Sequence, residues 1–266
     1  MKIRGIDVPD LMYGTAWKES RTQGLVELAI REGFRAIDTA NQRKHYFEEA
    51  VGKGIAAANV TGLFVQTKFT HRRGQDERLP YDERAPIATQ VAQSYESSVA
   101  HLGAIDSYVL HGPSARDHLT AEDHAAWRAI EALPVALVGI SNVTAQQVLD
   151  LVAFATVPPA FVQNRCYATA GWDRDVRAVC ARHAIVYQGF SLLTANKDVV
   201  QHDRDVRAIA ARLGITTAQL VFAFARQRGM LPLTGTTSAE HMRLDLASAM
   251  IELGPEDLAF LDACAL

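Results

Sequence analysis

The sequence IDSYVLH, residues 105–111, is a short apolar run of the kind on which the fold depends. Eight such runs recur along the chain, and the other seven are LMYGT (11–15), FRAID (34–38), LFVQTKF (63–69), ALVGIS (136–141), FVQNR (161–165), IVYQGF (185–190) and MLPLTG (230–235). The runs are nearly continuously apolar rather than alternating, which is typical of strands buried on both faces of a parallel sheet. The pattern therefore predicts eight parallel strands.

Helical patterns separate these runs. Leu25, Leu28, Ala29 and Glu32 share one helix face, and Gly33 follows them as a stop signal. The other predicted helices cover or begin in 91–102, the capping box 144–147, 175–183, 203–213, 217–228, 238–249 and 256–263. Because no Pro-, Gly- or Ser-rich linker interrupts the alternation, we expect residues 1–266 to form a single domain.

Eight strands alternating with helices fit either a closed barrel or a doubly wound open sheet. A dinucleotide-binding open sheet would have GxGxxG after its first strand, whereas this chain has YGTAW at 13–17. The predicted class is therefore α/β, a (β/α)8 TIM barrel with a short C-terminal tail.

The composition is that of a globular protein, with 48% hydrophobic and 21% charged residues. A net charge of −3 argues against nucleic acid or an acidic membrane as the main partner. No run reaches the roughly 20 apolar residues of a membrane helix, and no signal peptide begins the chain. The three cysteines form no CxxC pair, and the histidines show no metal-ligand spacing. We expect a cytoplasmic protein without a metal.

Ionisable side chains interrupt the ends of three neighbouring strands. Asp38, Lys68 and His111 each end an apolar run, although burying such a group costs several kcal/mol unless it is paired. Active sites of barrels lie at the carboxyl ends of their strands. We therefore expect these three side chains to form one cluster.

This cluster suits proton donation to a carbonyl oxygen. Asp38 would keep Lys68 charged, and the ammonium would lower the pKa of a nearby phenol, for which Tyr46 is available. His111 could donate a second hydrogen bond to the same oxygen. Polar and aromatic groups that could hold a carboxamide and stack on a ring follow later strands, at Ser141, Asn142, Gln163 and Phe190.

Eight segments together resemble the aldo/keto reductase family over nearly the whole chain. They are GTAWK (14–18), GFRAIDTA (33–40), VQTKF (65–69), DSYVLHGP (106–113), GISN (139–142), VQNRCY (162–167), YQGFSLL (187–193) and LPLTGTT (231–237). The resemblance implies an NAD(P)H-dependent reductase that transfers hydride to an aldehyde or ketone. It also implies NADP(H) as cofactor, with NAD(H) as the alternative.

The same resemblance assigns roles to individual positions. The catalytic residues would be Asp38, Tyr46, Lys68 and His111, and Trp17 would line the mouth of the substrate pocket. The cofactor contacts would be Gly14, Thr15, Ser141, Asn142, Gln163, Phe190, Ser191, Leu193, Thr234, Gly235, Thr236 and His241.

Two departures concern the acid and the phosphate site. The family has its tyrosine five positions after the aspartate, where this chain has Arg43, and Tyr46 lies eight positions after Asp38. The alternatives to Tyr46 are Arg43, His45 or no acid at all. The usual cations after the eighth strand are replaced by Leu233 and His241, so Arg243 and the backbone amides of 234–238 are left to bind phosphate.

A third departure concerns the substrate. The long C-terminal loop of many relatives is missing, and the loop at 71–86 is long instead. We expect this loop to bring Tyr81 and its arginines, Arg72, Arg73, Arg78 and Arg84, to the substrate. The alternative is that the arginines pair with the loop's own Asp and Glu residues.

Two other functions are compatible with the same barrel. One is a redox-independent lyase, cyclase or dehydratase, and the other is a sensor that binds the cofactor without catalysis. The expected partner is a small carbonyl compound, and the expected assembly is a monomer or a weak homo-oligomer.

Overall fold

The computed structural model describes residues 1–264, and its centre is a closed barrel of eight parallel strands. The barrel strands are β3 (Met12–Gly14), β4 (Ala36–Asp38), β5 (Phe64–Phe69), β6 (Ser107–Leu110), β7 (Leu137–Ser141), β8 (Phe161–Arg165), β9 (Val186–Phe190) and β10 (Met230–Thr234). They pair in chain order, and β10 closes the barrel against β3. The predicted (β/α)8 barrel is confirmed.

Helices surround the barrel and connect its strands. They are α1 (Thr22–Glu32), α2 (Glu48–Ala58), α3 (Ile87–Leu102), α4 (Ala121–Glu131), α5 (Ala145–Phe154), α6 (Arg174–Arg182), α7 (Arg204–Leu213), α8 (Thr217–Gln227), α9 (Ala239–Ala247) and α10 (Pro255–Ala263). Short 3-10 turns and one π turn lie in the loops, at Glu19–Arg21, Arg72–Gly74, Ala168–Ala170, Thr194–Asn196, Asp198–His202 and Ser248–Met250.

Local sequence signals set several helix ends. The predicted capping box is present, since Thr144 Oγ1 accepts from the Gln147 amide while Gln147 Oε1 accepts from the Thr144 amide. Gly33 ends α1 at a φ of 116°, a conformation that favours glycine.

The amino-terminal end of the barrel is closed by a feature that the sequence patterns did not predict. The strands β1 (Lys2–Ile3) and β2 (Ile6–Asp7) form an antiparallel pair. Ile3 and Val8 pack with Met12, Phe64 and other apolar residues into a cluster of their own. This apolar cluster lies at the amino-terminal end of the barrel, and the polar strand ends lie at the opposite, carboxyl end.

The helix α2, which follows the tyrosine loop, is held closely against α3. A Cβ atom at Gly52 would overlap the backbone carbonyl of His101, so only glycine allows this approach. The buried Glu48 at the start of α2 also bonds His101 Nδ1 at 2.9 Å and Ser98 Oγ at 3.1 Å. These contacts place the start of α2 beside the carboxyl ends of β4 and β5.

Candidate active site

A cavity of ≈ 720 Å³ lies at the carboxyl ends of the barrel strands, which is a typical size for a ligand site. Most of the residues singled out from the sequence line it, namely Gly14, Trp17, Asp38, Tyr46, His111, Ser141, Asn142, Gln163, Phe190, Ser191, Leu193, Thr234, Gly235, Thr236 and His241. We call the part lined by Asp38, Tyr46 and His111 the tyrosine end. We call the part formed by Lys18, the loop after β10 and the first turns of α8 and α9 the outer end.

A buried ion pair lies beneath the tyrosine end. Lys68 Nζ donates to Asp38 Oδ1 at 2.6 Å and to the Thr39 carbonyl at 2.7 Å. The Lys68 side chain is fully buried and that of Asp38 is 4% exposed. Burial lowers the pKa of Lys68, and the Asp38 carboxylate opposes that shift. The expected Asp38–Lys68 contact is therefore present.

Three glutamines extend this pair across the barrel. Asp38 Oδ1 accepts from Gln66 Nε2 at 2.8 Å and from Gln163 Nε2 at 3.0 Å. Gln188 Oε1 accepts from the same two amides, at 2.8 Å and 2.9 Å. Within residues 1–264, Oε1 of Gln163 takes no hydrogen bond, and Gln163 lines the cavity. The network thus fixes the Asp38 carboxylate and the orientation of the Gln163 amide together.

His111 is an uncharged imidazole that can donate or accept a hydrogen bond. Its Nδ1 lies 2.7 Å from Thr70 Oγ1, which leaves Nε2 for another partner. Burial first, and then the positive charge of Lys68, lower the pKa of His111 to about 3. The imidazole is therefore uncharged at neutral pH.

Tyr46 faces His111 and Lys68. Its ring centroid lies 5.8 Å from that of His111 at an interplanar angle of 70°, and Lys68 Nζ lies 5.5 Å from the Tyr46 centroid. The two alternative acids, Arg43 and His45, do not line the cavity. The Arg43 guanidinium lies over the Phe47 ring, and His45 stacks on Trp17.

The sequence suggests that Lys68 lowers the pKa of the phenol, but the net shift in this geometry is upward. Burial raises the pKa of Tyr46 above its usual value of 10, and the Asp38 charge raises it further because it disfavours a phenolate. Tyr46 is therefore a neutral phenol that keeps its proton at physiological pH.

Aromatic side chains flank the cavity. Trp17 is 66% exposed and carries a positive φ of 61°. Phe190 ends β9, and the Arg165 guanidinium lies 5.7 Å from its ring centroid.

The outer end combines one buried cation with several acidic or titratable groups. Lys18 is 7% exposed, and its Nζ donates to the Gly235 carbonyl. Burial lowers the pKa of Lys18, and the nearby charge of Arg21 lowers it further. Glu240 and His241 are exposed, whereas Asp245 is buried and accepts from Thr234 Oγ1 at 2.7 Å. Burial raises the pKa of Asp245 to about 6.

Comparison with known proteins identifies the family. The model of the Aldo/keto reductase family matches residues 11–266. The chain belongs to the aldo/keto reductase family. It is 28% identical to an uncharacterised oxidoreductase of Schizosaccharomyces pombe, covering 91% of this chain and 83% of that protein. It is 26% identical to the methylglyoxal reductase DkgB of Escherichia coli O157:H7, over 87% of this chain and 83% of that protein.

Solved structures agree on the fold of this aldo/keto reductase. The Bombyx mori aldo-keto reductase in complex with NADP superposes with a TM-score of 0.83 at 23% identity, covering 98% of this chain and 91% of that one. At that identity the likeness establishes the shared barrel fold.

Three of the residues assigned from the sequence do not line the cavity of this aldo/keto reductase. Lys68 lies beneath it, bonded to Asp38. Thr15 is fully buried and its hydroxyl donates to the Asp38 carbonyl at 3.0 Å, so it supports β4 rather than facing the cavity. Tyr81 is also buried, and its hydroxyl donates to the Thr70 carbonyl at 2.8 Å. The expected substrate contact of Tyr81 is therefore not present in this geometry.

Three of the four arginines of the 71–86 loop, Arg72, Arg73 and Arg78, are engaged within the loop or with neighbouring backbone. Arg72 pairs with Glu83 at 2.5 Å, and Arg78 pairs with Asp76. Arg73 donates to the backbone carbonyls of residues 113 and 114. This geometry favours the alternative, in which the arginines pair within the protein, over contact of the arginines with an anionic substrate.

Arg243, which was a candidate for phosphate binding, is also engaged elsewhere. It pairs with Glu32 of α1 at 2.8 Å and does not line the cavity. The cation that does line the outer end, Lys18, was missed in the sequence, although it directly follows Trp17 in the GTAWK segment. Gln66, Gln188 and Thr70 were missed because only the closed barrel brings them beside Asp38 and His111.

Two further observations bear on ligands and membranes. Residues 1–264 contain no group of three or more His, Cys, Asp or Glu side chains arranged to hold a metal ion. Over the same residues, no single helix has the length and hydropathy to cross a membrane. Only α7 and α8 taken together reach those values, and they meet at a bend of 89°.

Proposed function

We propose that this aldo/keto reductase reduces a small aldehyde or ketone to the alcohol with NADP(H), with Tyr46 as the proton donor. The observation that carries the proposal is the convergence of a neutral phenol and a neutral imidazole on one end of the cavity, above a buried Lys–Asp pair. Neutral donors beside a buried cation suit an oxygen that gains negative charge during the reaction.

The chemistry of the lining residues fits a nicotinamide cofactor. The side-chain Oε1 of Gln163 accepts no hydrogen bond from residues 1–264. Asn142 and Ser141 are oriented by hydrogen bonds of 2.8 Å to the His111 backbone carbonyl and 2.6 Å to the Gln163 backbone carbonyl. These groups would hold the carboxamide, and the Phe190 ring would lie flat on the nicotinamide. Lys18 would face the phosphates from the outer end. When bound, the cofactor supplies the hydride that reduces the carbonyl carbon.

The residues of the chain provide the proton and stabilise the charge. In that reduction, Tyr46 would give its phenolic proton to the carbonyl oxygen, which completes the alcohol. The buried Lys68 ammonium then stabilises the phenolate until it takes up a proton from water. His111, which is neutral, donates a hydrogen bond from Nε2 to the same oxygen while Thr70 Oγ1 bonds Nδ1.

NADP(H) is the proposed cofactor because the Bombyx mori structure contains NADP. NAD(H) stays the second candidate, since Leu233 and His241 replace the expected cations and Arg243 is paired with Glu32. Fluorescence titration with both cofactors separates the two.

The test compares the wild-type protein with Tyr46→Phe. We expect the wild type to oxidise NADPH in the presence of methylglyoxal, chosen because a relative is named for it, or of an aldehyde from a panel. Tyr46→Phe should lower kcat by about 10² to 10⁴, the usual worth of a positioned acid, while the Kd of NADPH changes little. Tyr95→Phe, which alters a ring packed on Tyr108 outside the cavity, is the matched control.

Other outcomes point to other functions. Wild-type kcat in Tyr46→Phe would overturn the acid assignment. Cofactor binding without turnover of any carbonyl compound would favour the sensor. Conversion of a substrate without cofactor would favour the lyase, cyclase or dehydratase.

A further inference from the structure

The loop at 71–86 and the loop that carries Tyr46 are joined by two reciprocal hydrogen bonds. We call residues 71–86 the bracing loop and residues 39–47 the tyrosine loop. Gln42 Nε2 of the tyrosine loop donates to the Gly74 carbonyl at 2.7 Å. Gln75 Nε2 of the bracing loop donates to the Asn41 carbonyl at 2.8 Å. Both glutamines are buried, so water competes little for these bonds.

The bonded glutamine of the tyrosine loop also sets the turn on which Tyr46 lies. The Gln42 carbonyl accepts from the Tyr46 amide at 3.0 Å and from the His45 amide at 3.2 Å. Phe47 precedes α2 without a side-chain cap, while the buried Glu48 anchors the start of the helix to α3. On the other side, the turn is held by Gln42 and by the Trp17 amide, which donates to the His45 carbonyl at 2.7 Å, and Gln42 is in turn bonded to the bracing loop.

The bracing loop is itself anchored to the barrel. Tyr81 donates to the Thr70 carbonyl at 2.8 Å, and its ring packs on Phe69 of β5 with centroids 5.6 Å apart. Near the carboxyl-terminal end of the bracing loop, Gln90 of α3 donates to the Ala85 carbonyl at 2.8 Å. The loop thus has a fixed position from which it can hold the tyrosine loop.

Direct contact with substrate does not explain the role of the bracing loop. None of the residues from 71 to 86 lines the cavity, and the two acid–arginine pairs within the loop neutralise much of its charge. Gln75 donates to the backbone of the tyrosine loop instead. Arg78 adds a further bond at the surface, from its guanidinium to the Arg43 carbonyl at 3.2 Å.

We propose that Gln42 and Gln75 are positioning residues, which hold Tyr46 at the angle to His111 that proton transfer requires. The proposal rests on the proposed function, in which Tyr46 is the acid. It explains why a chain whose tyrosine lies eight positions after Asp38 also has a long loop after β5. A donor displaced by about 1 Å can lose up to about 10² in rate, so small movements of this turn matter.

The experiment measures single-turnover reduction at saturating NADPH for Gln75→Leu and Gln42→Leu. We expect each variant to lower the rate about tenfold, to leave the Kd of NADPH within about twofold, and to raise the solvent deuterium isotope effect because proton transfer becomes slower. A merely structural change would alter NADPH binding without raising that isotope effect. Gln42→Leu removes the other inter-loop bond and should have the same effects, so it tests the proposal even if Gln75→Leu does not fold.

Gln93→Leu is the matched control, because Gln93 Oε1 accepts from the Asp82 amide of the bracing loop at 2.9 Å, a bond that involves no residue of the tyrosine loop. It should keep the wild-type rate and isotope effect. In a Tyr46→Phe background, Gln75→Leu should cause no further loss.

Two results overturn different claims. If Tyr46→Phe loses activity while Gln75→Leu and Gln42→Leu keep the wild-type rate and isotope effect, the bracing proposal fails and the proposed function stands. If Tyr46→Phe keeps the wild-type rate, the proposed acid fails and the bracing proposal fails with it.

Discussion

The two ends of the cavity differ in whether their buried charges are paired within the protein. At the tyrosine end, both charges are buried and paired with each other, and Asp38 takes three hydrogen bonds to one oxygen. At the outer end, Lys18 is buried with a backbone carbonyl as its partner, and no carboxylate of residues 1–264 lies within 4.0 Å of it. A buried cation without an anion is costly. The tyrosine end thus pairs its charges within the protein, whereas under the proposed function the phosphates of the cofactor would supply the anion that the outer end lacks.

The largest effect is expected from breaking the ion pair of the tyrosine end. Lys68→Met leaves the Asp38 carboxylate buried without its cation, which usually costs about 3–5 kcal/mol in the free energy of unfolding. We expect that loss in urea unfolding and a fall in kcat of about 10² or more, since the phenolate loses its stabilising charge.

A double variant separates charge from packing. Asp38→Asn combined with Lys68→Met removes both charges and should recover part of the stability but none of the activity. Lys53→Met, which breaks an exposed pair with Glu49, should change stability by less than about 1 kcal/mol. Equal losses for Lys68→Met and Lys53→Met would contradict the contrast between buried and exposed pairs.

A smaller effect is expected from removing the cation of the outer end. Lys18→Met should raise the Kd of NADPH about tenfold, in line with the loss of one charge-assisted hydrogen bond, and leave kcat at saturating cofactor nearly unchanged. It should also reduce the dependence of NADPH binding on salt concentration.

Arg243→Met provides the comparison for Lys18. Arg243 was the candidate from the sequence, but it pairs with Glu32 outside the cavity, so we expect no more than a twofold change in the Kd of NADPH, within about 0.4 kcal/mol. A large effect of Arg243→Met together with none of Lys18→Met would reverse the assignment of the cation at the outer end.

A further effect concerns the pH dependence of stability at the outer end. The pKa of Asp245 is raised to about 6 in the folded protein, so the folded state binds more protons than the unfolded state between about pH 4 and pH 6. Stability is therefore lost as the pH rises through this window. Asp245→Asn should raise the free energy of unfolding by about 1–3 kcal/mol at pH 7.5 and by almost nothing at pH 4.

Urea unfolding at the two pH values checks this prediction. Asp150→Asn, which alters an exposed acceptor of Gln146 on α5, should show no such pH dependence. An equal gain for Asp245→Asn at both pH values would mean that packing rather than charge explains it.

Much of the tyrosine end could be predicted from the sequence. Asp38, Lys68 and His111 each end an apolar run, and parallel strands bring such ends to one edge of a barrel. The direction in which the pKa of Tyr46 shifts could not be predicted in the same way, because it depends on how deeply the folded protein buries the phenol and on its distance from Asp38. The positions of Tyr81 and Arg243 were misjudged for a similar reason, since a residue's place along a loop does not determine where its side chain points.

The sequence by itself determined the order of strands and helices, the helix ends at Gly33 and Thr144, and the edge at which the polar strand ends meet. These features follow from periodicity and from local hydrogen bonds between residues close in the chain. Only the tertiary structure decided that Gln188 joins Gln66, that Lys18 reaches Gly235, and that two loops hold each other through buried glutamines. Those contacts join residues far apart in the chain, and their distances exist only once the barrel has closed.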